Sequence, residues 1–229
     1  MPNHNEVYNS QADLYELMIS KQPLFTDVIK EIRPYKNLDV LDLGAGTGRF
    51  SSFIADEANS IICTDLSQSM LEVLEKKLMK QRSVRNWITM QADHRNIPIP
   101  DSTIDLVISG WSICYLASST NAKWKEDLDI VMKEIERVLK PNGTIIIIET
   151  MGTGTTEPNP PDFLRSYYDQ LENQYAFNHK WMRSDYVFEN TMEAEKNTEF
   201  FFGSDISNKV KSNEWSTVPE CAGVWWKHM

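Results

Sequence analysis

Three glycines at alternate positions follow an aspartate in Asp42-Leu43-Gly44-Ala45-Gly46-Thr47-Gly48. Residues of these types at this spacing could hold a small molecule by the main chain alone. Glycine accepts positive φ and lets another molecule approach bare backbone. Val40 to Leu43 reads as a short apolar strand. Arg49-Phe50-Ser51-Ser52-Phe53-Ile54-Ala55 places apolar residues at helical spacing. The order is strand, glycine turn, helix. The first turn of such a helix offers unpaired N–H groups and a partial positive charge, and a turn of this kind at the carboxyl end of a parallel strand is where open α/β sheets bind ligands. The same residues also suit a tight turn that packs a helix on a strand and binds nothing, so other residues must decide.

Spacing separates the ligand classes. A dinucleotide fingerprint, G-x-G-x-x-G, needs its third glycine where this chain has Arg49; here it falls at Gly48. The next strand-like run, Ser60-Ile61-Ile62-Cys63-Thr64, ends at Asp65. A carboxylate about 20 residues past the first glycine can accept both hydroxyls of a ribose. That serves any adenosine ligand and does not by itself choose one. Asp65 or Ser67 can also simply cap the helix that starts near Gln68; the two uses are compatible, with Ser67 capping and Asp65 on the sugar.

Further motifs follow in order: Gln91-Ala92-Asp93-His94-Arg95-Asn96-Ile97-Pro98 after a strand-like Trp87-Ile88-Thr89-Met90, then Asp105-Leu106-Val107-Ile108-Ser109-Gly110-Trp111, then Val138-Leu139-Lys140-Pro141-Asn142-Gly143-Thr144 leading into four isoleucines. Taken together, over roughly residues 36 to 150, the chain resembles the class I S-adenosylmethionine-dependent methyltransferases of the small-molecule type. The resemblance implies a three-layer Rossmann-like fold, with a seven-stranded, mostly parallel sheet, an antiparallel edge strand and helices on both faces. It implies S-adenosylmethionine as cofactor. Its contacts would come from Asp42, Gly44, Ala45, Gly46 and Thr47 in the first motif, and from Asp65, Leu66 and Met70 around the second strand. Ala92, Asp93 and His94 would add an adenine loop in which Asp93 takes the exocyclic amino group and the next residue offers backbone. Ser109 and Trp111 would contribute after the fourth strand. Tyr8, Ala12 and Tyr15 resemble an entry segment that lies over the cofactor in many small-molecule members; the two tyrosines either touch the cofactor or merely pack.

A sulfonium methyl group is already activated, so the protein need only align a nucleophile, exclude water and, where required, take a proton. Histidines available for the last task are His94, His179 and His228, with His179 the candidate base and His94 expected to contribute backbone. Tyr8, Tyr15, Trp111, Tyr115, Tyr167, Tyr168, Trp181 and Trp225 could make an aromatic acceptor pocket. Most of them are expected to pack. Cys63, Cys114 and Cys221 have no paired spacing, so neither a disulfide frame nor a metal site is expected.

The elements that must position these residues alternate: strand 39–43, helix 48–58, strand 60–65, helix 68–81, strands 86–91 and 104–110, helix 122–139 and strand 144–150. Such alternation implies a parallel sheet covered on both faces. A Gly/Thr/Pro loop at 151–160 leaves the ligand side. A helix at 161–173, a strand at 180–188, a helical insert at 191–212 forming a small cap, and a strand at 215–227 close the chain. The expected organisation is one domain over 1–229: an entry segment to 35, a cofactor core over 36–150, and substrate-side helices and closing strands from 151.

The 229 residues carry a net charge of −10, which repels phosphate backbones and argues against a nucleic-acid substrate. The densest basic group, Lys76, Lys77, Lys80 and Arg82, reads as a solvated helix face. The polar start lacks the apolar region of a signal peptide, and no apolar run reaches the roughly 18 residues needed to span a bilayer. A cytoplasmic protein acting on a small molecule, as monomer or homodimer, is the expectation. Two other functions fit the same motifs: a cofactor-binding protein without transferase activity, and, less well, an NAD-type oxidoreductase, which would need glycine at position 49.

Overall fold

A computed structural model describes residues 4–81 and 85–229. The first residues of the polar start and Arg82 of the basic group lie outside the described residues.

The core is a seven-stranded sheet built from β1 (Asp39–Leu43), β2 (Ser60–Asp65), β3 (Trp87–Gln91), β4 (Ile104–Gly110), β5 (Leu139–Thr153), β6 (Asn178–Arg183) and β9 (Glu220–His228). The order is β3-β2-β1-β4-β5-β9-β6. The first five strands run parallel, and β9 runs antiparallel to both β5 and β6, so the antiparallel strand expected at the edge lies one strand in from it and β6 forms the edge. β1 sits between β2 and β4, so the chain winds one way from β1 to β3 and the other way from β4 onward.

Side-chain alternation explains how apolar runs serve two faces at once. In β5, Ile146 and Ile148 join the cluster under α3 (Thr26–Ile32), α4 (Ser51–Ile54) and α5 (Gln68–Gln81), beside Ile29, Ile54 and Leu74. Ile145 and Ile147 join the opposite cluster, with α7 (Trp124–Val138) and α8 (Asp162–Asn173), beside Val131, Ile135 and Leu171. Val40 and Leu41 of β1 divide the same way. Three layers result, as the resemblance implies.

A third cluster covers the carboxyl ends of the parallel strands. Val7 of α1 (His4–Ser10) and Met18 and Ile19 of α2 (Ala12–Ile19) pack with Ala194 and Phe201 of α9 (Thr191–Phe202) and Val210 of α10 (Ser204–Ser212). Tyr186 and Val218 complete it. They belong to the two-stranded sheet of β7 (Tyr186–Val187) and β8 (Thr217–Val218).

The helix expected over 48–58 shrinks to α4. Gly48 has φ +90°, outside the helical region, so helical winding begins only at Ser51. There Asp42 Oδ2 accepts the Ser51 N–H at 3.1 Å and also the Ser51 hydroxyl. The strand expected over 180–188 divides: Ser184 N–H turns aside to Glu220 O (2.9 Å), and Asp185 takes the Arg183 guanidinium at 2.8 and 2.7 Å and the Glu220 N–H at 3.0 Å. Tyr186 then pairs with Val218 in the small sheet. For the same reason 215–227 becomes β8 and β9. The strand expected at 144–150 is longer, with β5 starting at Leu139 and carrying a register shift against β4 between Ile104 and Leu106. The helix expected over 122–139 stops at Val138. The insert at 191–212 is two helices, broken at Gly203 with φ +85°.

Candidate functional site

The strand order reverses beside β1, and a cavity of about 190 Å³ lies there at the carboxyl ends of β1 to β4. Crevices at such reversal points are where open α/β sheets bind small molecules.

The glycine turn after β1 forms its floor. Gly44 and Ala45 both donate N–H to Thr64 O at 2.8 Å, and Gly46 N–H donates to Asp65 Oδ2 at 2.8 Å, so the turn is tied to the end of β2. Gly46 has φ +53°, and a Cβ added to it would meet only a Tyr15 ring carbon, at 4.0 Å. Its open side faces the cavity. At Gly44, φ +79°, a Cβ would fall 1.8 Å from Ser112 Oγ, so bare backbone is required there by packing.

Asp65 lines the cavity with its second oxygen accepting Ser67 N–H at 2.8 Å. Burial pushes its pKa up, opposed by the N–H groups of Ser67 and Gly46. Each carboxylate oxygen keeps a further lone pair for a ligand hydroxyl. Ser67 caps α5, its Oγ accepting Met70 N–H at 3.4 Å and donating to Tyr8 O at 2.8 Å. The carboxylate and the cap are thus separate residues, as the sequence allowed.

After β3, Ala92, Asp93, His94 and Arg95 form another wall. Arg95 grips Asp93 at 2.9 and 2.7 Å and reaches Asp127 at 3.0 Å, which holds the Asp93 carboxyl down at about 2. His94 is buried, with Nε2 at 2.7 Å from Ser112 Oγ; burial lowers its pKa to about 4, so it is neutral at pH 7. Gly110 ends β4, and Trp111 and Ser112 follow it, with Trp111 at φ +50°. Tyr115 and Leu116 continue that wall, while Leu66 and Met70 line the side toward α5.

Helices α1 and α2 close the top. Tyr8 and Tyr15 both line the cavity, and their rings meet edge to face at 5.4 Å. The Tyr8 hydroxyl bonds that of Tyr115, and His4 Nδ1 lies 3.0 Å from the same Tyr115 oxygen. Ser67 and Ser69 hold the carbonyls of Tyr8 and Asn9, each at 2.8 Å.

The structure thus gathers Tyr8, Tyr15, Gly44, Ala45, Gly46, Thr47, Asp65, Leu66, Met70, Ala92, Asp93, His94 and Trp111 around one cavity. Asp42, Ser109 and His179 stand apart from the lining. Asp42 is fully buried and spends its carboxylate on Ser51. Ser109 Oγ donates to Leu43 O at 2.8 Å, tying β4 to β1. His179, the candidate base, lies on β6 at the far sheet edge, stacked on Trp225 at 4.4 Å with Nδ1 3.4 Å from Glu172. His228 bonds Thr144 Oγ1 at 2.9 Å, at the opposite end of β5. Of the candidate pocket aromatics, Tyr167, Tyr168, Trp181 and Trp225 do not line the cavity.

Sequence reasoning did not single out Ile19, Phe50, Arg95, Gly110, Ser112 and Leu116 as lining residues, and it read Arg49 only as a departure from the dinucleotide pattern. Arg49 and Phe50 carried a signal all the same: they immediately follow the glycine turn, at the start of its helix.

Residues 41–147 match the family described as a methyltransferase domain. The chain is 32% identical over 149 residues to a ubiquinone/menaquinone biosynthesis C-methyltransferase of Haemophilus ducreyi, covering 62% of this chain and 49% of that protein. It is 27% identical over 221 residues to a malonyl-[acyl-carrier protein] O-methyltransferase of a Marinomonas species, covering 95% of this chain and 70% of that protein. The chain therefore spans about half the length of the first relative and more of the second. Among solved structures, a SAM-dependent methyltransferase from Aquifex aeolicus superposes with a TM-score of 0.60 at 16% identity, over 94% of this chain and 96% of that one; at that identity the likeness is one of fold. In its sheet order, its glycine turn and these matches, the chain is similar to the class I S-adenosylmethionine-dependent methyltransferases and shares their fold.

Proposed function

We propose that the protein transfers a methyl group from S-adenosylmethionine to a small-molecule acceptor. The observation that carries this is Gly46: its N–H is fixed on Asp65 while its bare Cα faces open cavity, so backbone and carboxylate border one space.

The residues present fit an adenosyl ligand. The free lone pairs of Asp65 suit the two ribose hydroxyls. Asp93, held ionised by Arg95, suits an exocyclic amino group, which donates where a carbonyl-bearing base would not. The backbone of Ala92 and His94 lies beside it, and Gly44 to Thr47 border the remainder. When bound, the cofactor supplies an electrophilic sulfonium methyl group. The protein's share is to orient and to exclude water. Helix α1, tied to Ser67, Ser69 and Tyr115, covers the cavity. Ring faces of Tyr8, Tyr15 and Trp111 line it and suit a cationic centre. His94 is a poor base, with its Nε2 occupied by Ser112 and its pKa near 4. The acceptor accordingly does not depend on His94 to take a proton.

The relatives' names point to different acceptors, one to a carbon and one to an oxygen, so the acceptor atom is left to experiment. The net charge of −10 favours a small molecule over a nucleic acid, and no described helix is long and apolar enough to cross a membrane. Calorimetry with S-adenosylmethionine, S-adenosylhomocysteine and NAD, followed by a methyl-transfer screen over small-molecule panels, tests the reading. Binding of the first two and turnover of a panel member are expected. Preferential binding of NAD would overturn it, and cofactor binding without turnover of any acceptor would favour a binding protein.

A further inference from the structure

Arg49 stands where a dinucleotide fold would have its third glycine, and it lines the cavity. It lies 4.1 Å from the Trp111 ring centroid. The groups it meets are neutral. It donates to Gln22 Oε1, and the hydroxyls of Tyr15 and Tyr186 face it, both kept protonated by burial. Glu220 is a carboxyl group whose pKa the charge of Arg49 helps to lower, and it is itself buried, accepts the Thr150 hydroxyl at 2.7 Å, and is pushed up to about 7 by that burial. Among the described residues, no carboxylate lies within ion-pair distance of Arg49.

Two other described cations near the cavity are already paired. Arg95 is paired with Asp93 and Asp127, and Lys77 with Glu16 at 2.6 Å. A desolvated guanidinium normally has an anionic partner, because neutral acceptors replace lost hydration poorly. Its planar fork of five N–H donors matches a carboxylate, and Gln22 and the two phenols leave donors free. The missing anion therefore belongs to whatever fills the cavity.

We propose that Arg49 is the anion-recognising residue of the cavity, and that it binds a carboxylate carried by the small molecule bound there. The inference rests on the methyltransferase reading and adds the chemical class of one ligand group. That carboxylate has two possible sources, the amino-acid tail of the cofactor or the acceptor. Arg49 is a binding residue, held over the Trp111 ring and steered by Gln22, whose Nε2 is anchored on Ser184 O at 2.8 Å.

The test compares the wild-type protein with Arg49→Met and Arg49→Lys. Three probes are titrated calorimetrically: S-adenosylhomocysteine, 5′-methylthioadenosine (the same thionucleoside without the amino-acid tail), and a series of small mono- and dicarboxylates added to protein saturated with S-adenosylhomocysteine. Arg49→Met is expected to weaken one carboxylate-bearing probe by tenfold or more while 5′-methylthioadenosine binds within twofold of wild type. Arg49→Lys should recover part of the loss. Loss for S-adenosylhomocysteine assigns the cofactor tail; loss for the added carboxylates assigns the acceptor. Equal weakening of all probes, or of none, would overturn the proposal, as would failure of both variants to fold, which would make Arg49 a structural cross-link between α2, β7 and the core. Should wild-type protein bind neither thionucleoside, the methyltransferase reading falls and takes the inference with it; in a protein that binds both, variants that leave S-adenosylhomocysteine and the added carboxylates as tightly bound, relative to 5′-methylthioadenosine, as in wild type refute the inference alone.

Discussion

At the scale of single residues, Asp65 bears the most. It joins the glycine turn to β2 and presents its remaining lone pairs to the cavity. Asp65→Ala should weaken S-adenosylhomocysteine by about 1–3 kcal/mol, roughly five- to 160-fold, the cost of orphaned polar partners; calorimetry giving wild-type affinity would remove the ribose role. Gly46→Val should abolish binding, since the added side chain enters the cavity and φ +53° is strained for a β-branched residue. Asp93→Ala should erode the preference for adenine over hypoxanthine analogues, and an unchanged preference would dissociate Asp93 from the base. These three residues were legible because their chemistry is local: a carboxylate at a strand end, or a glycine in a turn. Asp42 misled for an equally physical reason. Sequence places its carboxylate next to the turn, but a strand side chain points to one face or the other, and here it points down onto Ser51.

At the scale of elements, the parallel core was readable because each strand is an apolar run covered on both sides and each turn carries glycine, proline or asparagine. The 180–188 strand was not, because its break depends on Asp185 meeting Arg183 and Glu220, residues joined only in the folded sheet. The cavity's roof was legible only through the resemblance of Tyr8, Ala12 and Tyr15 to an entry segment, because helix α1 is held by contacts over 59 to 107 residues of sequence. Tyr115→Phe deletes the hydroxyl on which Tyr8 and His4 converge. It should raise amide exchange in α1 and speed release of S-adenosylhomocysteine several-fold while leaving the β-strands protected. Exchange in α1 equal to wild type would show that the strap does not depend on this contact.

At the scale of the whole molecule, stability should depend on pH through opposing sets of carboxyl groups. Asp42, Glu149 and Glu220 are fully buried, and desolvation raises them to about 7, 8 and 7. Below the ordinary carboxyl range they are protonated in both states and contribute nothing. As pH rises toward 7–8 the unfolded chain gives up these protons while the folded one keeps them, so stability falls. Asp39 and Asp93 are held down at about 2, the first chiefly by Lys140 and the second by Arg95; their stabilisation is present above the ordinary carboxyl range and is lost as pH falls toward 2. Thermal midpoints should therefore peak in the mildly acidic range and decline toward pH 8, and Glu149→Gln should flatten the alkaline limb. A midpoint that climbs steadily to pH 8 would contradict this. The buried carboxyls themselves could not be read from sequence, where Glu149 and Glu220 look like any other glutamates near strand ends.

A crystal structure of the protein with S-adenosylhomocysteine puts the central claim to its plainest trial. The ribose hydroxyls should lie on Asp65, the adenine along Ala92 to His94, and the amino-acid portion against the bare backbone at Gly46. A nucleoside found outside this cavity, or within it but away from both Asp65 and Gly46, would contradict the account.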